Sequence, residues 1–177
     1  LKRIIRLKKD NYDGLKDLAN NVRNGVTDIN TIYKRKEISN FNPELLKNNV
    51  QIWKSKWDLK NGGDLAQQKF VSPSKYIFLL NYARIFKDKE VLDHVRQTLD
   101  IISSSGLNDF IEGGFYRYTV DDEWKIPHFE KMLYDQAQMI SLYSLAFKVF
   151  KDDYFKNVTL ETIDFLNIKM SSKEGLY

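Results

Sequence analysis

The sequence predicts an all-α protein built from stacked helical hairpins. Three observations point there: apolar residues recur at helical spacing, helix-start signals precede those stretches, and glycine turns fall about one helix pair apart. The turns are Gly62-Gly63, Gly113-Gly114 and Gly175. Repetition at such an interval marks either a solenoid or a closed α/α toroid. A toroid of six hairpins needs about twice this many helices, so on that alternative the chain is its first half. The chain begins with Leu1 and stops after Gly175-Leu176-Tyr177, and we read it as an excised piece.

Tyr12, Leu15, Leu18, Ala19, Val22 and Val26 share one helical face, which predicts a helix over about 11–26. Asn42-Pro43-Glu44 is a start signal for the next, with Leu45, Leu46, Val50, Trp53 and Trp57 along one side. Ser72-Pro73 repeats that signal ahead of Tyr76, Leu79, Leu80, Ala83 and Phe86. Asp88 can cap a fourth helix, striped by Val91, Leu92, Val95, Leu99 and Ile102 and ended by Gly106. Residues 107–127 break the period. There Phe115, Tyr116, Tyr118 and Val120 beside Gly113-Gly114 predict a short β-hairpin near 113–121. After Pro127 a long helix is expected over about 128–149, then another from Asp152 or Asp153. Six helices result.

Composition narrows the function classes. At 177 residues, with 42% hydrophobic and 29% charged residues, the chain has the balance of a globular protein. The absence of cysteine excludes disulfides, a thiolate nucleophile and a cysteine-based zinc site. No apolar run approaches the roughly 18 residues of a membrane span, and the basic start lacks the apolar core of a signal peptide. The expected compartment is the cytoplasm, with no membrane partner. Residues 1–60 hold 14 Lys/Arg against 7 Asp/Glu, and residues 61–177 hold 14 against 17, which together give the net +4. The basic excess thus lies in the first third, where a solvated face or linker explains it better than nucleic-acid binding. No cofactor is implied, and the Gly62-Gly63 turn is not a P-loop because no G-K-[ST] follows. His94 and His128 lack any short metal-ligand spacing, so no metal is expected, and His94 reads as a surface or partly buried histidine.

The chemistry-bearing residues concentrate between Gly113 and Asp135. On a helix opening at His128, the imidazole would meet the positive end of the dipole and stay neutral, able to accept or donate a proton. Helical spacing would put Lys131 and Asp135 on the same face as His128, with Glu130 pointing elsewhere. Asp121, Asp122 and Glu123 beside Trp124 offer paired carboxylates next to a flat ring, the combination that glycoside chemistry uses. Arg117 can clamp an anion or hydroxyl. The bland alternative is that Asp121 caps a turn and that Tyr116, Tyr118 and Trp124 are core.

The run Gly113-Gly114-Phe115-Tyr116-Arg117-Tyr118-Thr119-Val120-Asp121, then Trp124, then Pro127 to Asp135, resembles a widespread family. These are the thioredoxin domain-containing, or spermatogenesis-associated-protein-like, proteins. They join an N-terminal thioredoxin-like domain to an α/α toroid of the six-hairpin glycosidase or sugar-epimerase type. Gly62-Gly63, Lys69-Phe70, Pro73 and Glu174-Gly175-Leu176-Tyr177 resemble further parts of its pattern, so the likeness covers about 43–177. The resemblance implies that 43–177 is the N-terminal half of the toroid and that 1–42 connects it to a missing thioredoxin-like domain, a partner within the full-length chain. Glu112 stands where the family has a third glycine, and Tyr116 where it has a histidine, which removes a titratable imidazole from that position.

Together these readings point to a protein fragment with a carbohydrate-binding or carbohydrate-modifying site. His128, Asp135 and Asp121 are its expected catalytic groups. Arg117, Trp124, Tyr118, Tyr116 and Lys131 are the expected contacts to a sugar or small polar ligand. The second reading is a non-catalytic helical scaffold or protein-interaction module. Apolar faces left uncovered on a half-toroid predict self-association.

Overall fold

The computed structural model describes residues 2–31 and 42–176, which fall in two compact units, 1–43 and 44–177. Residues 32–41, part of the expected connecting segment, and Tyr177 lie outside the described residues. Among the described residues there are seven helices, one more than the periodicity predicts. None is long and apolar enough to cross a membrane.

The first unit holds α1 (Lys2–Asp10) and α2 (Tyr12–Asn30). Asn11 caps α2 by accepting the Gly14 N–H at 2.9 Å. The apolar stripe continues through Ile29, so α2 runs past the expected end. None of its residues is buried.

In the second unit, α3 (Pro43–Lys54) precedes two helical hairpins: α4 (Pro73–Phe86) with α5 (Lys89–Ser103), and α6 (Leu133–Phe150) with α7 (Asp153–Lys169). The two hairpins turn in the same way. Lys87 and Lys151 adopt left-handed backbone (φ 55° and 56°), and the following aspartate caps the next helix. Asp88 accepts the Val91 N–H and Asp152 the Tyr154 N–H. α4 packs on α5 and on α6, and α6 on α7, so the first helices of the two hairpins are neighbours. Leu79, Leu80 and Ala83 of α4 meet Val95, Leu99 and Ile102 of α5 and Leu142, Tyr143 and Ala146 of α6 in one buried core. Tyr143 spans it, donating its hydroxyl to the Leu99 carbonyl at 2.9 Å. Ser72 precedes α4 as expected, but in left-handed backbone and without a capping bond from its side chain.

The β structure differs from the expected hairpin at 113–121. β1 (Lys69–Phe70) pairs antiparallel with β2 (Tyr118–Thr119), and β2 is flanked on its other side by Pro127 and His128. The turn of that second pairing is residues 121–126, not Gly113-Gly114. The two glycines (φ 84° and 77°) instead pass against α7, where a Cβ on Gly114 would come within 2.6 Å of the Phe165 ring. A last pair, β3 (Ser171–Ser172) and β4 (Gly175–Leu176), closes the described chain.

The start of α6 is also corrected. The expected helix from His128 begins only at Leu133, because 128–132 gives its backbone bonds to the sheet segment: His128 N–H to Tyr118 O, and Arg117 N–H to Glu130 O, each at 2.9 Å. His128 therefore does not sit on a helix dipole, and Lys131 and Asp135 do not share a helical face with it.

Candidate functional site

The loop 107–132 is fastened by side chains that read as ligand contacts in the sequence. Lys131 is nearly buried and donates to Asp109 Oδ2 at 2.6 Å and to the Gly113 carbonyl at 2.9 Å. Asp109 also accepts the Ile111 and Glu112 N–H groups and the Tyr116 hydroxyl. Burial alone would raise the Asp109 carboxyl, but these four donors, Lys131 first among them, hold it well below the usual carboxylate range. Tyr116 is pushed up by its own burial and then by that carboxylate, so its phenol stays protonated as a donor.

Asp121 is a turn organiser. Its carboxylate accepts the N–H groups of Glu123, Lys125 and Ile126, which outweigh burial and keep it ionised. Trp124 is fully buried with φ 63°, donates Nε1–H to the Asn61 carbonyl at 2.9 Å, and lies under the Lys69 ammonium. It cannot serve as a sugar platform. Lys69 in turn is buried against Asp58 at 2.6 Å and the Gly62 carbonyl. Lys131, Asp121 and Trp124 are thus structural, each for the same reason: an irregular loop must satisfy its polar groups internally.

The remaining predicted residues lie at one end of the molecule's second unit. The N-terminal ends of α4 and α6 border a cavity of about 220 Å³ lined by Ser72, Tyr116, Arg117, Tyr134, Asp135 and Gln138, with Phe70 and Met139. Asp135, in the first turn of α6, has a buried carboxylate oxygen, Oδ2, with no hydrogen-bond partner among the described residues. Burial raises its pKa, and the Arg117 charge only partly opposes that. Among the described residues the Arg117 side chain makes a single hydrogen bond, Nη1 to Glu130 Oε2 at 3.4 Å. The same Glu130 oxygen lies 3.6 Å from His128 Nδ1. Tyr118 is sandwiched between Phe70 (4.5 Å between centroids) and His128 (4.8 Å), both nearly parallel to it.

Four curated relatives share this segment. Spermatogenesis-associated protein 20 of Rattus norvegicus is 34% identical over 123 residues, 67% of this chain, and that of Homo sapiens is 33% identical over the same length. An uncharacterised Caenorhabditis elegans protein is 34% identical over 142 residues, 77% of this chain. Over the matched segment, this chain is a homologue of spermatogenesis-associated protein 20. It spans only 16% of the rat and human proteins and 19% of the nematode one. No family model matches the chain.

Solved structures supply the fold. A sugar epimerase from a ruminal bacterium aligns with TM-score 0.65 at 20% identity, covering 72% of this chain and 36% of that one. Cellobiose 2-epimerase from Bacillus thermoamylovorans aligns with TM-score 0.63 at 15% identity, covering 74% and 38%. The hairpins of this chain are therefore those of an α/α toroid.

Within that frame Arg117, Tyr116 and Asp135 come together, and His128 reaches them only through Glu130 and Tyr118. Sequence reasoning sets Glu130 aside as pointing elsewhere, because it assumes a helix at 128–132. It also misses Gln136, whose buried amide grips the Phe115 backbone in both directions (2.8 and 2.6 Å). Tyr134 and Gln138 carry no motif signal. His94, expected at the surface or partly buried, is buried face to face with Trp57 at 3.9 Å, and among the described residues neither ring nitrogen has a hydrogen-bond partner. Among the described residues no cluster of three or more His, Asp or Glu could hold a metal.

Proposed function

We propose that the cavity between the N-terminal ends of α4 and α6 binds a sugar or sugar-like polar ligand, with Asp135 as the group that exchanges a proton with it. The observation that carries this reading is the unpartnered, buried oxygen of Asp135 in a cavity with Arg117. A buried carboxyl without a partner is costly unless something uses it. Burial raises its pKa above the ordinary carboxylate value, the direction that general acid or base work needs. At about 220 Å³ the cavity is smaller than the roughly 300–1,000 Å³ of drug-sized sites, which favours a monosaccharide-sized molecule over a polymer. The names of the structural neighbours, a sugar epimerase and cellobiose 2-epimerase, support the same ligand class. Phe70, half exposed, gives the lining an aromatic contact, while Tyr118, covered on both faces, does not reach the cavity.

A thermal-shift panel of neutral and acidic sugars tests the reading. A sugar present at a hundredfold excess over its Kd is expected to stabilise the chain by about 2.7 kcal/mol, and Asp135→Asn to remove that gain. If no sugar shifts the wild-type Tm, the reading fails. The internal engagement of Asp121, Trp124 and Lys131 favours a second reading, a helical scaffold without a ligand, and a flat panel would select it.

A further inference from the structure

We propose that the ligand of the α4/α6 cavity carries a carboxylate, as a sugar acid does, and that Arg117 receives it by leaving Glu130. This inference rests on the sugar-binding reading above and names the class of ligand within it.

A guanidinium presents five N–H donors in a planar fork that matches a carboxylate in two parallel bonds. In Arg117 only one is engaged by a side chain, and the 3.4 Å contact is long against the 2.7–2.9 Å typical of charge-assisted bonds. Both partners are about half exposed, so the pair is weak and readily exchanged. Glu130 does not line the cavity, and its Oε2 also lies 3.6 Å from His128 Nδ1, a polar neighbour it keeps when Arg117 turns away. On the inner side lies Asp135, which no arginine donor reaches.

A neutral sugar would satisfy Asp135 through a hydroxyl and leave the guanidinium with Glu130. A sugar acid completes both groups. Its carboxylate takes the fork and its hydroxyls meet the buried, unpartnered oxygen of Asp135. Glu130 is then a competitor for Arg117 and not part of the ligand's contact set.

Calorimetric titration of the full chain with glucuronate, glucose and inorganic phosphate tests this. Glucuronate is expected to bind at least tenfold more tightly than glucose, and Arg117→Gln to erase the difference. Glu130→Gln is expected to tighten glucuronate several-fold and leave glucose unchanged, because it frees the guanidinium. Equal affinities for glucuronate and glucose in the wild type would overturn the carboxylate assignment and leave the sugar reading standing. Binding of neither sugar would overturn both. Tighter binding of phosphate than of glucuronate would overturn the carboxylate in favour of a phosphorylated ligand. Weaker glucuronate binding in Glu130→Gln would make Glu130 a positioning residue and overturn the exchange. Arg117 and Glu130 are exposed, so unchanged Tm values of the free variants verify that the fold is intact.

Discussion

Lys131 and Asp135 lie four residues apart in a segment dense with chemistry, yet they do opposite jobs. Lys131 is closed off by Asp109, the Gly113 carbonyl and the faces of Tyr116 and Phe165. Removing one partner of a buried ion pair leaves the other uncompensated, so Lys131→Met should destabilise the fold by about 3–5 kcal/mol in a urea titration. A loss of sugar affinity at unchanged stability would contradict that role. Asp135 keeps a free oxygen. Nothing local in the sequence separates the two, since the difference is made by Asp109, far away in the chain. The same holds for Asp121 and Trp124: residue types suited to glycoside chemistry are equally suited to fastening a turn, and only the partners decide. Arg117 reads as a clamp from its five-donor fork, and among the described residues that side chain makes one bond, to Glu130.

At the scale of elements the sequence is more transparent. The start of α4 at Pro73 and the caps of α5 and α7 follow from signals that act within a turn of the chain. The Phe86-Lys87-Asp88 and Phe150-Lys151-Asp152 triplets even mark the two hairpin turns as copies of one design. The start of α6 and the pairing of β1 with β2 were not legible, because both depend on backbone bonds between distant segments. Gly113-Gly114 was visible as a turn, but its purpose is close approach to α7. Gly114→Ala should therefore cost more than about 2 kcal/mol, combining a left-handed φ with a 2.6 Å approach to Phe165. Gly25→Ala on α2, where a Cβ meets nothing within 4 Å, should raise helix stability by up to about 1 kcal/mol. Equal effects at the two sites in thermal denaturation would contradict this packing.

For the whole molecule the buried ionisable groups set the response to pH. His94 is held neutral at a pKa of about 4, first by burial and then by the nearby Lys75 charge, against about 6.5 when unfolded. The unfolded chain takes up this proton first, so stability should fall as pH drops from about 6.5 towards 4, by on the order of 3 kcal/mol. Asp58, Asp109 and Asp121 are all depressed in the fold, so their contribution is present above about 4 and is lost below it. Chemical denaturation across pH 3–8 should show two successive losses, and His94→Phe should remove only the upper one. An unchanged upper limb in that variant would contradict the buried, neutral histidine. Helical spacing predicts the all-α class and leaves solenoid and toroid open, and the toroid neighbours decide between them.

The central claim is that the molecule's ligand site is the cavity holding Asp135 and Arg117. Amide NMR of the chain titrated with the sugar that gives the largest thermal shift tests it most directly. Shift changes are expected to cluster on Arg117, Tyr134, Asp135 and Gln138 and to be absent in Asp135→Asn. Changes centred instead on the separate cavity lined by Trp53, Lys56 and Lys75, or no localised changes at all, would contradict it.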